Sequence, residues 1–180
     1  MKSARFCLNA GILILVASLC GCDVIYQVLH KEGAQEKEIL GEIVPYEANE
    51  VVIEVQKRLK LYGYKIGKVD GVLGAHTRNA IAAFQEDSGI KVSRFVDNAT
   101  WERLHVFDEY GLILDGELNI KTIQEALARA GTDPGPADGK LGRRTQTAIR
   151  DFQEQQGLKP DGKVGMKTLQ KLSEYASDDL

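Results

Sequence analysis

The sequence predicts an all-α protein, two tandem small three-helix bundles placed after a signal peptide and a tether. Three observations carry this expectation. The phrase "DGVLGAHTRNAIAAFQE" at 70–86 returns as "DGKLGRRTQTAIRDFQE" at 138–154, and a shift of 68 residues aligns 55–104 with 123–172 without a gap, with 19 of 50 positions identical. Self-similarity at a fixed offset marks a structural unit used twice. Within each copy the apolar residues recur at helical rather than alternating spacing. Glycines and Asp-Gly pairs interrupt that periodicity at matching places, which divides each copy into three helices.

At the N-terminus, Lys2 and Arg5 precede an apolar run, "GILILVASL", that stops at "LCGC". A charged head, a run of about 7–15 apolar residues and a small-residue end make a signal peptide, expected over 1–21; a membrane span needs about 20 apolar residues. The "LCGC" at 19–22 resembles a bacterial lipobox, and the resemblance implies cleavage before Cys22 and acylation of its thiol. The other reading is an ordinary cleaved signal with an incidental cysteine. All three cysteines, Cys7, Cys20 and Cys22, lie in this segment, so the body downstream has no thiol for a disulfide and Cys22 is left to the lipid. Two or more acyl chains are what stable anchoring requires.

Removal of 1–21 takes away Lys2 and Arg5 and no acid, so 21 basic residues face 26 acidic ones, a net charge of −5. A mildly acidic body is not built to bind nucleic acid. Asp23, directly after Cys22, resembles an inner-membrane retention mark. The expected location is the bacterial envelope, with the protein lipid-anchored to a membrane and facing the periplasm.

Residues 22–48 are expected to form the lipidated tether, because "KEGAQEKE" is solvated and "VPYEAN" contains a breaker. Some 25 residues of flexible chain would reach about 25–30 Å. The first bundle is expected over 49–106. Its first helix carries Val51, Val52, Val55, Leu59 and Tyr62 and ends at Gly63; its counterpart in the second bundle, over 119–175, carries Ile120, Ile123, Leu127 and Ala130 and ends at Gly131. Both glycines stand where a left-handed residue closes a helix. The second helix opens after Gly74 or Gly142 and puts Ala80, Ile81 and Phe84, or Ala148, Ile149 and Phe152, on one face. A short third helix opens at Asp97 or Gly165 and buries Thr100, Trp101 and Leu104, or Thr168, Leu169 and Leu172. The connector at 107–118 holds too many apolar residues for a free linker and is expected to pack between two separate small cores.

The loop before each second helix is the informative part. "KVDGVLG" and "PADGKLG" place Asp-Gly in a turn, where the aspartate accepts from a backbone N–H two residues on and the glycine takes a positive φ. Leu73 and Leu141 are expected to drop back into the core, and Gly74 and Gly142 to cap the helix. The repeated phrase is thus first a folding instruction.

"VQKRLKLYGYKIGKVDGVLGAHTRNAIAAFQEDSGI" and "IQEALARAGTDPGPADGKLGRRTQTAIRDFQEQQGLKPDGKVGMKTLQKL" resemble two copies of the bacterial peptidoglycan-binding domain of cell-wall hydrolases. The second copy meets nearly all of that pattern, including a second Asp-Gly turn at Asp161 and Gly162. The first copy has Ser93 and Arg94 there, with Asp97 in place of the usual glycine. The resemblance implies a non-catalytic module that binds the glycan or stem peptide of the wall and needs no cofactor. An alternative is an envelope adaptor that uses the same fold to recruit a wall enzyme or secretion component.

Catalytic chemistry finds little support in the residues. A cysteine transpeptidase needs a cysteine beside a histidine, and a zinc peptidase needs clustered ligands, whereas His30, His76 and His105 are scattered and no metal site is expected. Asp87 and Glu86, like Asp151 and Glu154, belong to polar helix faces rather than to a glycosidase pair. Two binding surfaces are expected instead. Tyr62 and Tyr64 with the Asp70 loop offer an apolar wall in the first copy, and Arg143 and Arg144 beside the Asp138 loop offer guanidinium forks for peptide carboxylates in the second. Asp70 and Asp138 also read as turn residues, and Tyr62 as part of a core.

Overall fold

The protein is described by a computed structural model over residues 31–43 and 47–176; the expected signal peptide, Cys22 and Asp23 lie outside the described residues. The first bundle is built from α2 (Glu50–Leu61), α3 (Ala75–Asp87) and α4 (Asn98–Glu109), preceded by α1 (Lys31–Leu40). A two-stranded hairpin, β1 (Ile113–Leu114) and β2 (Glu117–Leu118), leads to the second bundle of α5 (Ile120–Arg129), α6 (Arg143–Gln155) and α7 (Met166–Ala176). The all-α expectation holds, with the hairpin as its small exception.

Asn49 starts α2 because its Oδ1 accepts from the free N–H groups of Val51 and Val52, at 2.9 and 3.1 Å. The helix stops at Gly63, whose φ of +95° lets Tyr64 N–H return to the Leu59 carbonyl at 2.9 Å. Between these ends Val52, Val55, Leu59 and Tyr62 are buried on one stripe. In α3, Ala80, Ile81 and Phe84 face them, and in α4 Leu104 and Phe107 close the core. Ile123, Ala126 and Leu127 on α5, Ile149 and Phe152 on α6, and Leu169 and Leu172 on α7 repeat the scheme.

Four features depart from the sequence expectation. First, α4 is not short. It runs to Glu109, past the expected boundary at 106, and buries Phe107; Trp101 is only half-buried, with His105 against its ring at 4.3 Å. Second, the connector folds as a hairpin: Asp115 and Gly116 have φ of +53° and +76°, the two positive values that a tight two-residue turn needs to match the strand twist. Leu112 and Ile113 are buried while Leu114 is 62 % exposed.

Third, the apolar side chains of both copies form one continuous cluster rather than two separate cores. The Tyr62 carbonyl accepts from Met166 N–H at 3.0 Å, and Asp87 lies 3.5 Å from Lys167 Nζ. A bundle of about 60 residues buries too small a share of its surface to be robust alone, and sharing a core relieves that.

Fourth, part of the expected tether is helix. Glu36 of α1 is fully buried and forms a two-pronged ion pair with Arg78 of α3, Oε2 accepting from Nη2 at 2.9 Å, while Oε1 also accepts from Val96 N–H at 2.8 Å. Leu40 is buried beside them. A buried carboxylate survives only with such partners, so α1 is docked on the first bundle over 31–40.

Candidate functional site

One polar device occurs four times, twice in each bundle. A buried glutamine near the middle or end of a helix reaches the next turn and holds it by both ends of its amide. Gln56 Nε2 donates to Asp70 Oδ1, the Val72 carbonyl and Thr77 Oγ1 at 2.9, 3.1 and 3.0 Å, while its Oε1 accepts from Gly71 N–H at 2.9 Å. Gln124 does the same to Asp138, Lys140, Gly139 and Thr145. Gln153 does it to Asp161, Lys163, Gly162 and Thr168. A neutral amide suits this place, since it satisfies donors and acceptors together without burying a charge.

The fourth unit is the divergent turn of the first copy, where Ser93 and Arg94 stand in place of Asp-Gly. Gln85 Nε2 donates to Ser93 Oγ, the Phe95 carbonyl and Thr100 Oγ1, and its Oε1 accepts from Arg94 N–H at 2.8 Å. Ser93 replaces the aspartate, Arg94 takes the glycine's place at φ +67°, and Asp97 supplies an N-cap to Thr100 N–H at 2.9 Å. The turn is kept, by other residues and with a left-handed arginine.

The expected site residues separate under this geometry. Asp70 and Asp138 are turn residues: Asp70 Oδ1 accepts from Gln56 and from Val72 N–H, and Asp138 Oδ1 from Gln124 and from Lys140 N–H at 2.9 Å. The Gln56 hydrogen bond holds the Asp70 carboxyl below its ordinary pKa, and the Lys140 N–H does so for Asp138. Tyr62 is 3 % exposed, donates its hydroxyl to the Leu104 carbonyl at 2.5 Å and stacks on Phe84, so its ring is core rather than a surface wall. Burial pushes its pKa up to about 12. Tyr64 is half-buried with its hydroxyl on Asp87 at 2.9 Å, at the junction of the copies. These two tyrosines and Asp70 do not form a shared wall.

In the second copy, Arg143 and Arg144 are both exposed at the start of α6. Arg144 is turned back onto its own loop, with Nη2 2.6 Å from Asp133 Oδ1 and its side chain over Gly135. Arg143 has no hydrogen bond or ion pair among the described residues, which leaves it the open donor of the pair.

The two Asp-Gly turns also differ in what covers them. In the first copy Asn49 N–H donates to the Gly71 carbonyl at 3.1 Å, and a Cβ on Gly71 would meet Asn49 N at 2.8 Å. In the second copy the positions matching 48 and 49 are Gly116 and Glu117 of the hairpin, and the nearest atom to a Cβ on Gly139 is Lys121 Cβ at 4.0 Å. Leu73 is accordingly 8 % exposed and Leu141 45 %, so the expected burial of Leu141 is corrected. The first turn of the second copy is an open surface with an apolar side chain and a cation.

Among the hollows of the described residues, two border the helices and turns above. One of about 940 Å³ lies between α2 and the hairpin, with Arg58 paired to Asp108 at 2.8 Å and Glu54 to His105 at 2.9 Å near it. The other, about 400 Å³, lies where Tyr62 and Gly63 face the second turn of the second copy. Among the described residues no group of three His, Cys, Asp or Glu side chains is arranged to hold a metal ion, and no helix is long and apolar enough to cross a membrane.

These features define a tandem binding module of small helical bundles with rigid polar turns. A family model described as "Putative peptidoglycan binding domain" matches residues 48–104 and again 116–172, and the chain belongs to that family. It is 31 % identical over 108 residues to the N-acetylmuramoyl-L-alanine amidase CwlM of Mycobacterium tuberculosis, covering 54 % of this chain and 26 % of the amidase. It is 40 % identical over 58 residues to the localization factor PodJL of Caulobacter vibrioides, covering 32 % of this chain and 6 % of that protein. The spore cortex-lytic enzyme of Bacillus cereus is 44 % identical over 57 residues, 32 % of this chain and 22 % of the enzyme. The chain thus spans about a quarter or less of the curated relatives it matches. No solved structure gives a significant match.

Proposed function

We propose that the chain is a non-catalytic envelope protein, acylated at Cys22 and held at a membrane facing the periplasm, that binds peptidoglycan chiefly through its second copy. The observation that carries the ranking is the contrast between the two Asp-Gly turns: the Asp70 turn is covered by the chain entering α2, whereas the Asp138 turn presents Leu141 and Arg143 to solvent. A turn already rigid before contact loses less entropy on binding. Asp23 after Cys22 favours the inner membrane. The binding role is supported by family membership, and the membrane role by the charged head, apolar run and "LCGC" of the N-terminus.

Co-sedimentation of the full chain with purified sacculi tests the wall role. Retention that falls when Arg143 and Arg144 are both changed to alanine supports it; no retention of the wild type overturns it. The similarity to a protein named as a localization factor favours one second reading, an adaptor that recruits a wall enzyme. That reading predicts no retention on sacculi and capture of an envelope enzyme instead. For the anchor, Cys22→Ala should release the protein from the membrane fraction and abolish lipid labelling; unchanged retention would contradict acylation.

A further inference from the structure

The hollow between the copies stands apart in charge. The chain is acidic overall, with a formal net charge of −3, yet Lys159, Lys163 and Lys167 line this hollow and are exposed. Asp161 is the carboxylate that lines it, and its Oδ1 is occupied by Gln153 Nε2 and Lys163 N–H at 3.1 and 2.9 Å. Lys167 lies 3.5 Å from Asp87, which also accepts from Tyr64. The ammonium groups of Lys159 and Lys163 have no hydrogen bond or ion pair among the described residues.

The first copy serves as an internal control. It folds the same turn with Lys91, Phe95 and Ala99 at the positions of Lys159, Lys163 and Lys167, so the fold does not require that cluster. More tellingly, the first copy already has carboxylates on this turn. Glu36 of α1 accepts from Val96 N–H at 2.8 Å, and Glu32 of α1 pairs with Lys91. In the second copy Lys159 matches Lys91 and Val164 N–H matches Val96 N–H, while Arg78, the ion-pair partner of Glu36, is matched by the neutral Gln146. Val164 is 7 % exposed and its N–H has no partner among the described residues. The part of the pattern that the hollow keeps is the lysine: Lys159 lines it, and an ammonium without a protein acceptor is suited to an anionic oxygen.

We infer that the second turn of the second copy, bounded by the backbone of Tyr62 and Gly63 of the first, is a carboxylate-binding subsite that takes a free carboxylate of a peptidoglycan stem peptide as Lys91 of the first copy takes Glu32. The subsite is separate from the Asp138 turn and is formed by both copies together. Assignment of its ligand rests on the wall-binding reading above.

The test is a titration of the full chain, purified in detergent, with a disaccharide-tetrapeptide muropeptide. Lys159→Gln with Lys163→Gln should weaken binding about tenfold, the size of one lost charge-assisted contact, with an unchanged thermal midpoint. Lys159→Arg with Lys163→Arg should bind within about twofold of wild type, because charge and donors are kept. A muropeptide with its carboxylates amidated should bind the wild type at least as weakly as the Gln pair binds the native one, and amidation should cost the Gln pair less than it costs the wild type. Equal affinity of wild type and the Gln pair, or indifference to amidation, would overturn the subsite while leaving wall binding intact. Failure of the wild type to bind either the muropeptide or sacculi would overturn both.

Discussion

The backbone carbonyl of Tyr62, just past the end of α2, accepts from Met166 N–H, the first residue of α7, at 3.0 Å. The C-terminal end of the opening helix in one copy thereby meets the N-terminal end of the closing helix in the other, an arrangement that the opposite partial charges of helix ends favour. Gly165 makes it feasible, since a Cβ there would stand 3.0 Å from the Tyr62 oxygen. Gly165→Val should therefore push the copies apart. Calorimetry is expected to show one cooperative transition for the wild type and a lower or split transition for the variant; an unchanged single transition would show that the junction contributes nothing.

Arg78 and Glu36 tie α1 to the first bundle. Stranding one member of a buried ion pair typically costs about 3–5 kcal/mol, but α1 can escape that penalty by undocking. Arg78→Ala should thus cost α1's docking free energy together with the contacts of Arg78 to the Arg94 carbonyl and the Phe95 ring, and expose 31–43 to protease. Limited proteolysis with hydrogen exchange checks this, and undiminished protection of α1 would show that other contacts hold it.

Gln124→Leu keeps size but removes the amide that serves Asp138, Gly139, Lys140 and Thr145. Leaving such groups without partners should destabilise the protein by roughly 2–4 kcal/mol. Denaturant unfolding measures the loss, and a change below about 0.5 kcal/mol, the size of a typical surface substitution, would contradict the role given to the glutamine.

The turn aspartates set an acid limb. Backbone and glutamine hydrogen bonds hold Asp70, Asp138 and Asp161 below the ordinary carboxyl pKa. A folded-state pKa below the unfolded one means that the folded state binds fewer protons, so this stability is fully present above the unfolded value of about 3.9 and is lost as pH falls through the folded values. Asp138→Asn, whose amide oxygen still accepts, should fold at neutral pH and show a shallower fall of unfolding free energy below pH 4. An identical acid limb would remove Asp138 from the account.

Much of this fold is written plainly in the sequence, because each bundle has three amphipathic helices and each turn is spelled twice. The glutamines stand in the sequence too, Gln56 and Gln124 in the middle of the first helices and Gln85 and Gln153 directly after the core phenylalanines. What they touch was not, since hydrogen bonds across 8 or 14 residues leave no periodic trace. The docking of α1 was hidden for a sharper reason: "KEGAQEKEIL" looks solvated, and only Arg78, 42 residues on, makes burial of Glu36 tolerable. Leu73 and Leu141 occupy the same place in the same phrase, and their different exposure follows from the segments that precede each copy. Tyr62 fitted both a helix stripe and a binding wall, and packing against Phe84 and Phe107 decided for the stripe.

The central claim is that the second copy makes the wall contact. Amide chemical shifts of the full chain, followed while muropeptide is added, test it most directly. Shifts should concentrate at Asp138 to Arg144 and at Lys159 to Lys167, with the Asp70 to Thr77 turn still. Equal shifts in both copies, or shifts confined to the stretch from Tyr62 to Gly74, would contradict it.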